Sequence, residues 1–446
     1  MSWSGIFKPS EKTALSLRSN FAWMLGGNVY YAACQWSMLV IIAKFGNPEM
    51  VGRFVLGLAI SAPVIMFSNL NLRLVLATDS REVYPFGSYL ALRLTTAPLA
   101  VAVVAGIMLF LGYPAETAWV VIIVGVAKAF EAISEIYYGL MQFHERLDRV
   151  ARSMMLKGSL ALLLLGVGVR WGKSLLWGAL GLAGAMALTL FIRDIGSARR
   201  LARAGKRGDD PDAEPVLTAR WEARLLRNLA IFTLPLGVMV LFQSLNMNIP
   251  RFLIERHLGE HALGIFAALA YVMVAGTIFI RALGHAASPT LARYYNGGER
   301  KRFYRLSALL VAAGAGIGLA GIGIAVVAGP WILRVMYTPE YSRHAPLFVS
   351  LMLAALFLYA AQLLDFSVAV VRWFPAQMVL AAFVSVLTLV LGIWLIPRAG
   401  LLGASQALLW GGVTKVIGNL AIMGFAARAA ARGDAPEPLA LEMDPS

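Results

Sequence analysis

The sequence predicts an all-α, polytopic membrane protein with about 12 transmembrane helices, six in each half of the chain. The 446-residue chain is 59% hydrophobic and only 14% charged, whereas a soluble domain carries about 25% charged residues. Its apolar runs continue over about 20 residues, the length that crosses a bilayer as a helix, and they lack the alternation typical of barrel strands. Its longest stretch without membrane character, residues 193–227, separates two similar halves.

Twelve apolar runs can be placed along the chain. In the first half the predicted spans are residues 20–43, 52–70, 86–111, 116–140, 152–169 and 174–192. In the second half they are residues 228–249, 262–281, 307–328, 346–370, 376–396 and 402–424. The predicted domains are an N-terminal six-helix lobe (1–192), a basic linker (193–227), a C-terminal six-helix lobe (228–425) and a tail (426–446).

Basic residues orient these spans. The linker carries nine bases and six acids, so it cannot cross a bilayer, where each central charge costs roughly 2.5–3.5 kcal/mol. Of the 39 Lys and Arg residues, 26 fall in loops on the side of the linker, nine on the opposite side and four within spans. Because cytoplasmic loops are enriched in Lys and Arg, the linker and both termini are predicted to be cytoplasmic. The same placement explains the net charge of +15 without a nucleic-acid partner.

Two patterns suggest that the halves are parallel repeats about an axis along the membrane normal. The Asn-to-Gln spacing of residues 20–35 returns at residues 228–243, and the glycine and aromatic of residues 52–54 return at residues 264–266. Breaks at matching positions of two repeats are a pointer to a transport site. Glycine and proline are also common in membrane helices that are not repeats.

Ionisable side chains inside the spans are the candidate functional residues, because each is costly in a bilayer. Three of them share one face of the fourth span, at spacings of three and four residues. The candidate substrate-binding cations, suited to a phosphate or diphosphate arriving from the cytoplasm, are Arg93, Lys128, Lys415, Arg73, Arg281 and Lys157. The candidate ion-coupling acids are Glu131, Glu135 and Asp365. The alternative is that these groups form internal ion pairs or extend to the interface.

No constellation for catalysis or metal binding is evident. His257 and His261 have a metal-compatible spacing but no third ligand, and the glycine-rich run at residues 314–323 lies inside an apolar span with no strand before it. Cys34, the only cysteine, excludes a disulfide framework. We therefore expect neither a metal nor a cofactor, and no enzymatic activity.

Several segments resemble one family of membrane proteins. In the first half they are NFAWMLGG at residues 20–27, AKFGNPEMVGRFVLGLAI at 43–60 and NLNLRL at 69–74. In the second half they are LPLG at residues 234–237, NIPRFLI at 248–254 and LGEHALGIFAALAY at 258–271. This diffuse pattern resembles the polysaccharide (Wzx-like) flippases, which move lipid-linked oligosaccharides. They belong to the superfamily that includes the MATE-type multidrug exporters.

The resemblance implies two six-helix lobes around a central cationic cavity that opens alternately to each side. It implies a cargo of oligosaccharide on a polyprenyl diphosphate, moved from the inner to the outer leaflet of a bacterial cytoplasmic (inner) membrane. That step serves exopolysaccharide or O-antigen (lipopolysaccharide) biosynthesis. The partners would be this cargo, membrane lipids, and polysaccharide polymerase and export machinery. One departure is that the resembling multidrug exporters use an acid in the first helix, and residues 20–43 contain none.

Three other functions stay open. A proton- or sodium-coupled multidrug or metabolite exporter would use Glu131, Glu135 or Asp365 as its coupling site. A membrane polysaccharide polymerase would be expected to carry a sizeable outer loop, whereas the largest loop here is the linker. A scaffold for glycan-assembly proteins would use residues 193–227 as its contact surface.

Overall fold

The computed structural model describes residues 17–79, 83–205, 217–371 and 373–432, and these residues form helices without strands. Ten of the helices are long and apolar enough to cross a membrane. This confirms the predicted all-α, polytopic class. The predicted linker (193–227) and tail (426–446) lie partly outside the described residues.

Fourteen helical elements follow one another among the described residues. The first half contains α1 (Leu17–Phe45), α2 (Pro48–Ser68), α3 (Leu72–Thr78), α4 (Phe86–Leu111), α5 (Ala115–Phe143), α6 (Leu147–Gly172), α7 (Leu175–Thr189), a π-helical turn (Leu190–Asp194) and α8 (Ile195–Gly205). The second half contains α9 (Ala223–Asn296), α10 (Arg300–Met336), α11 (Pro339–Ser342), α12 (Ala345–Val371) and α13 (Phe374–Arg432).

Two of these helices are broken at a glycine. In α9 the break is at Gly259 (φ 81°, ψ 178°), and in α13 it is at Gly400 (φ 58°, ψ −137°). A residue with a side chain rarely adopts such a positive φ, so glycine is needed at both turns. The breaks divide α9 into α9a (residues 223–258) and α9b (residues 260–296), and α13 into α13a (residues 374–399) and α13b (residues 401–432). With these divisions the described residues contain twelve helices that overlap the twelve predicted spans, the shortest being α7 with 15 residues.

The chain forms two compact units. The first contains residues 1–255 and 259–267, and the second contains residues 256–258 and 268–446. Most of α9a therefore packs in the first unit, where Leu229 joins the apolar core and Gly237 lies against Leu70. The lobe boundaries predicted from the sequence remain a prediction.

Each unit is built around an interior helix. In the first unit, α5 packs against α2, α4 and α7, and no residue from 120 to 143 is exposed. In the second unit, α12 packs between α10 and α13, and no residue from 354 to 368 is exposed. Charged side chains on these two interior helices are therefore candidate functional groups.

The outward faces of the bundle suit a bilayer. Large apolar side chains such as Leu109, Phe110 and Val327 are among the most exposed in the protein, as expected for groups that meet lipid. Four exposed tryptophans lie towards the helix ends that the sequence places outside, where they can form an aromatic belt. They are Trp119, Trp171, Trp331 and Trp394.

Candidate functional site

Lys128 and Glu131 form an ion pair inside the first unit. The Lys128 Nζ lies 2.6 Å from the Glu131 Oε2, and the Tyr31 hydroxyl of α1 donates to the Glu131 Oε1 at 2.6 Å. The lysine and glutamate side chains are 23% and 20% exposed, and both lie on the interior helix α5. We call Lys128, Glu131 and Tyr31 the Glu131 cluster. It places an accessible ammonium group within the helix bundle.

The second unit contains a cluster of the same composition. The Lys415 Nζ of α13b lies 2.6 Å from the Asp365 Oδ2 of α12, and the Asn419 amide donates to the Asp365 Oδ1 at 2.8 Å. The lysine and aspartate side chains are 31% and 32% exposed. We call Lys415, Asp365 and Asn419 the Asp365 cluster. Each cluster thus consists of one lysine, one carboxylate and one uncharged donor.

Lys157 lies in a different, fully buried environment. Its Nζ is 3.9 Å from the Asp194 Oδ2 and 4.8 Å from the centre of the Tyr138 ring. Ser153 donates a hydrogen bond to the other Asp194 oxygen and shares one of 2.9 Å with the Tyr138 hydroxyl. The π-helical turn places Asp194 in this interior, and such turns are frequent at functional sites. Because both charged groups are out of reach of a ligand, the pair acts as an internal tie.

We expect replacement of Lys157 by methionine to lower the free energy of unfolding by about 3 kcal/mol, because it leaves the buried Asp194 carboxylate without its nearest cation. Adding Asp194→Asn should recover most of that loss, since the uncompensated charge disappears. Thermal unfolding of the purified protein in detergent measures both effects. A Lys157→Met protein that melts like the wild type and yet fails in transport would instead mark Lys157 as a substrate cation.

Arg93 is fully buried and caps the carboxyl end of α2. Its guanidinium donates to the Asn69 carbonyl at 2.9 Å and also to the Asn69 side chain. The chain turns there through Leu70 (φ 48°) and Asn71 (φ 50°), which is an unusual conformation for a bulky residue such as leucine. A cation is favourable at the negative end of a helix dipole. Through these contacts Arg93 stabilises the end of α2 and the turn that follows it.

The remaining predicted residues are more dispersed. Arg73 lies 3.4 Å from the Gln142 side chain and above the ring of Tyr138. Glu135 is half-buried, close enough to Arg93 to attract it electrostatically. Arg281 is exposed on α9b. Their assignment to substrate or ion binding therefore remains a prediction.

A polar network that the sequence analysis missed joins the ends of α2, α5 and α9 on the predicted outer side. Arg53 contacts Glu116 at 2.9 Å and Glu260 at 2.6 Å, and Thr117 donates to Glu260 at 2.6 Å. Next to it, Tyr113 donates to Glu255 at 2.6 Å. Glu116 and Glu260, the two partners of Arg53, are 144 residues apart in the chain, so sequence spacing gives no sign of the network. It ties the first sequence half to the start of the second.

The helices α2 and α9b meet at this network through two glycines. A Cβ on Gly52 would lie 1.8 Å from the Glu260 carbonyl oxygen, and one on Gly264 would lie 1.9 Å from that of Pro48. The contact is therefore reciprocal. Beside it Glu49 and His261, which are 212 positions apart, share a hydrogen bond of 2.7 Å. Residues 52 and 264 have the same separation, so in the predicted repeat alignment the contact pairs matching positions.

Replacing Gly52 by alanine should prevent this outer contact, because a methyl group at 1.8 Å from a carbonyl oxygen forces the two helices apart. We expect transport to fall at least about tenfold while the protein still accumulates in the membrane. A cysteine placed at position 117 should react faster with a thiol reagent in the Gly52→Ala background than in the wild-type background. Gly184→Ala is the matched control, since nothing lies within 4 Å of that Cβ position. Unchanged labelling and transport in Gly52→Ala would contradict the contact.

The described residues form a polytopic helical bundle with paired charges in each unit, and this fold is similar to that of solved membrane transporters and flippases. The structure matches an inward-facing multidrug resistance MATE family transporter of the MOP superfamily with a TM-score of 0.63. The two share 13% identity, over 94% of this chain and 97% of the other. It matches the lipid II flippase MurJ, in an inward closed conformation, with a TM-score of 0.67. That identity is 12%, over 89% of this chain and 86% of MurJ.

In sequence the chain is similar to the capsular polysaccharide biosynthesis protein CapF of Staphylococcus aureus. The identity is 26% over 386 residues, which cover 86% of this chain and 94% of CapF. No family model matches the chain. These similarities confirm the resemblance stated from the sequence, to polysaccharide flippases and to the superfamily that holds the MATE-type exporters.

Proposed function

We propose that the protein is a flippase that moves a polyprenyl-diphosphate-linked oligosaccharide from the cytoplasmic to the outer leaflet of a bacterial inner membrane. Its product would serve surface polysaccharide biosynthesis, as exopolysaccharide or O-antigen. The observation that carries the proposal is the pair of accessible ammonium groups on the interior of the two units, Lys128 and Lys415. The similarity to a capsular polysaccharide biosynthesis protein supports the choice of cargo.

A diphosphate is the anion that such ammonium groups suit. A lysine head group is a compact charge with three donors, and hydrogen bonds from charged donors to phosphate oxygens are about twice as strong as neutral ones. Inside the bundle the lower dielectric strengthens this attraction further. The oligosaccharide would pass through the polar interior while the lipid tail stays in the bilayer. No bond of the cargo changes, so the proposed role is transport and not catalysis.

The outer contact fits transport by alternating access. Opening of the predicted outer side would separate Gly52 from Gly264 and Arg53 from Glu260, a contact that in this structure lies within the first compact unit. The ion pairs of Arg53 are partly exposed, and exposed pairs contribute only about 0–1 kcal/mol each. Close glycine packing thus fixes the geometry of closure, and the ion pairs add little to the energy of opening.

Reconstitution tests the proposed function directly. The purified protein is placed in liposomes that carry a fluorescent polyprenyl-diphosphate oligosaccharide in both leaflets, and a membrane-impermeant quencher is added outside. With a flippase, nearly all of the fluorescence should be lost, whereas protein-free liposomes should keep the inner half. Equal losses in the two preparations would contradict the proposal. In cells, deletion of the gene should remove surface polysaccharide, and restored expression should return it.

A coupled drug exporter is the second candidate, because the fold is shared with MATE transporters and carboxylates lie in the interior. The geometry favours it less, since Glu131 and Asp365 are each already neutralised by a lysine at 2.6 Å. Drug sensitivity of a deletion strain that keeps its surface polysaccharide would favour the exporter.

A further inference from the structure

The two accessible lysines, Lys128 and Lys415, each form an ion pair with a carboxylate of their own unit. In the Glu131 cluster and in the Asp365 cluster the nitrogen–oxygen distance is 2.6 Å, which is a full charged hydrogen bond. An anionic cargo cannot bind either ammonium group at full strength while the carboxylate stays in place. The carboxylate is thus positioned as an internal competitor for the phosphate.

Accessibility separates these two pairs from a purely structural one. The charged side chains of the Glu131 and Asp365 clusters are one-fifth to one-third exposed, whereas Lys157 and Asp194 are fully buried. Breaking a fully buried pair leaves isolated charges and costs several kcal/mol. A partly accessible pair separates at lower cost than a buried one, and an incoming anion that reaches the pair can compete for its lysine.

Each carboxylate also has a second partner that would remain after the lysine leaves. The Tyr31 hydroxyl donates to Glu131 at 2.6 Å, and the Asn419 amide donates to Asp365 at 2.8 Å. A buried acceptor with no partner is costly, so these uncharged donors lower the cost of releasing the lysine. The same arrangement of a lysine, a carboxylate and an uncharged donor occurs in both units.

We propose that Glu131 and Asp365 are displaceable counter-ions: they hold Lys128 and Lys415 when no cargo is bound, and the phosphate groups of the cargo displace them. This inference rests on the proposed function, because it needs a phosphate-bearing cargo. The carboxylates weaken phosphate binding and, by returning to the lysines, promote release. They therefore set the residence time of the cargo.

Binding of inorganic pyrophosphate to the purified full-length protein, measured by calorimetry, tests the proposal. Glu131→Gln and Asp365→Asn should each tighten binding about fivefold, because each removes an internal competitor. Glu145→Gln, which changes an exposed loop carboxylate, should bind like the wild type. If the wild type binds pyrophosphate and both amide variants bind it equally or more weakly, the counter-ion role is wrong.

Tyr31→Phe gives a second measurement with the opposite sign. It removes the donor that Glu131 would keep, so Glu131 should hold Lys128 more firmly, and pyrophosphate binding should weaken about threefold. Tighter or unchanged binding in this variant would overturn the proposal even if Glu131→Gln fails to fold. If neither the wild type nor any variant binds pyrophosphate, including the Glu131→Gln/Asp365→Asn double variant, the phosphate site of the proposed function itself is excluded.

Discussion

Replacing both Lys128 and Lys415 by glutamine is expected to reduce transport of the lipid-linked cargo at least 100-fold and to remove surface polysaccharide. A hydrogen bond from a charged group contributes about 1.5–3 kcal/mol, so losing two costs about 3–6 kcal/mol, and each 1.4 kcal/mol is a factor of ten. The liposome quenching assay and the amount of surface polymer in complemented cells measure the loss.

Glutamine keeps a hydrogen-bond donor and is only one heavy atom shorter than lysine, so the double variant should still accumulate in the membrane. The control is Lys173→Gln with Lys301→Gln, which removes two lysines outside the interior clusters. Normal surface polymer in the Lys128/Lys415 variant, at normal protein level, would refute the assignment of the two lysines to the cargo.

Replacing Arg93 by alanine should lower the free energy of unfolding by about 3–5 kcal/mol and sharply reduce the amount of folded protein. The end of α2 would lose its cap, and the strained turn at Leu70 and Asn71 would lose the guanidinium that holds it. Lysine should rescue poorly, because a single ammonium cannot replace the forked donor set of arginine. Thermal unfolding and membrane protein level are the measurements.

Arg281→Ala is the comparison for this variant, since its side chain is exposed and its loss should change stability by no more than about 0.5 kcal/mol. An Arg93→Ala protein that is stable but inactive would return Arg93 to the role predicted from the sequence, that of a substrate cation.

The helices could be predicted from the sequence because a bilayer demands about 20 consecutive apolar residues for each crossing. The prediction for α4, residues 86–111, has the bounds of the helix itself. Elsewhere the helices are longer than the apolar runs. α9b contains 37 residues and is about 55 Å long at 1.5 Å per residue, which exceeds a hydrocarbon core of about 30 Å. Hydropathy detects only the part that lies in lipid, so it misses such extensions.

At the candidate site, the sequence could predict only contacts between residues that are close together in the chain. Lys128 and Glu131 are three residues apart on one helix, so their pairing is visible in the sequence. The partner of Arg93 is the backbone of Asn69, which no residue type reveals. Tyr31 and Asn419 were missed because neither carries a charge. Arg53 and Glu260 are 207 residues apart, so tertiary structure alone brings them together.

The reciprocal packing of Gly52 and Gly264 bears on how the chain arose. A contact in which equivalent positions face each other is what two identical six-helix subunits would form before fusion into one gene. In such a dimer, the position now held by Glu49 and His261 would place one residue type against its own copy. If the two halves are repeats, divergence of the copies explains why an acid now faces an imidazole. A single chain can hold such an unlike pair across a two-fold axis, whereas a homodimer would place one residue type against its own copy.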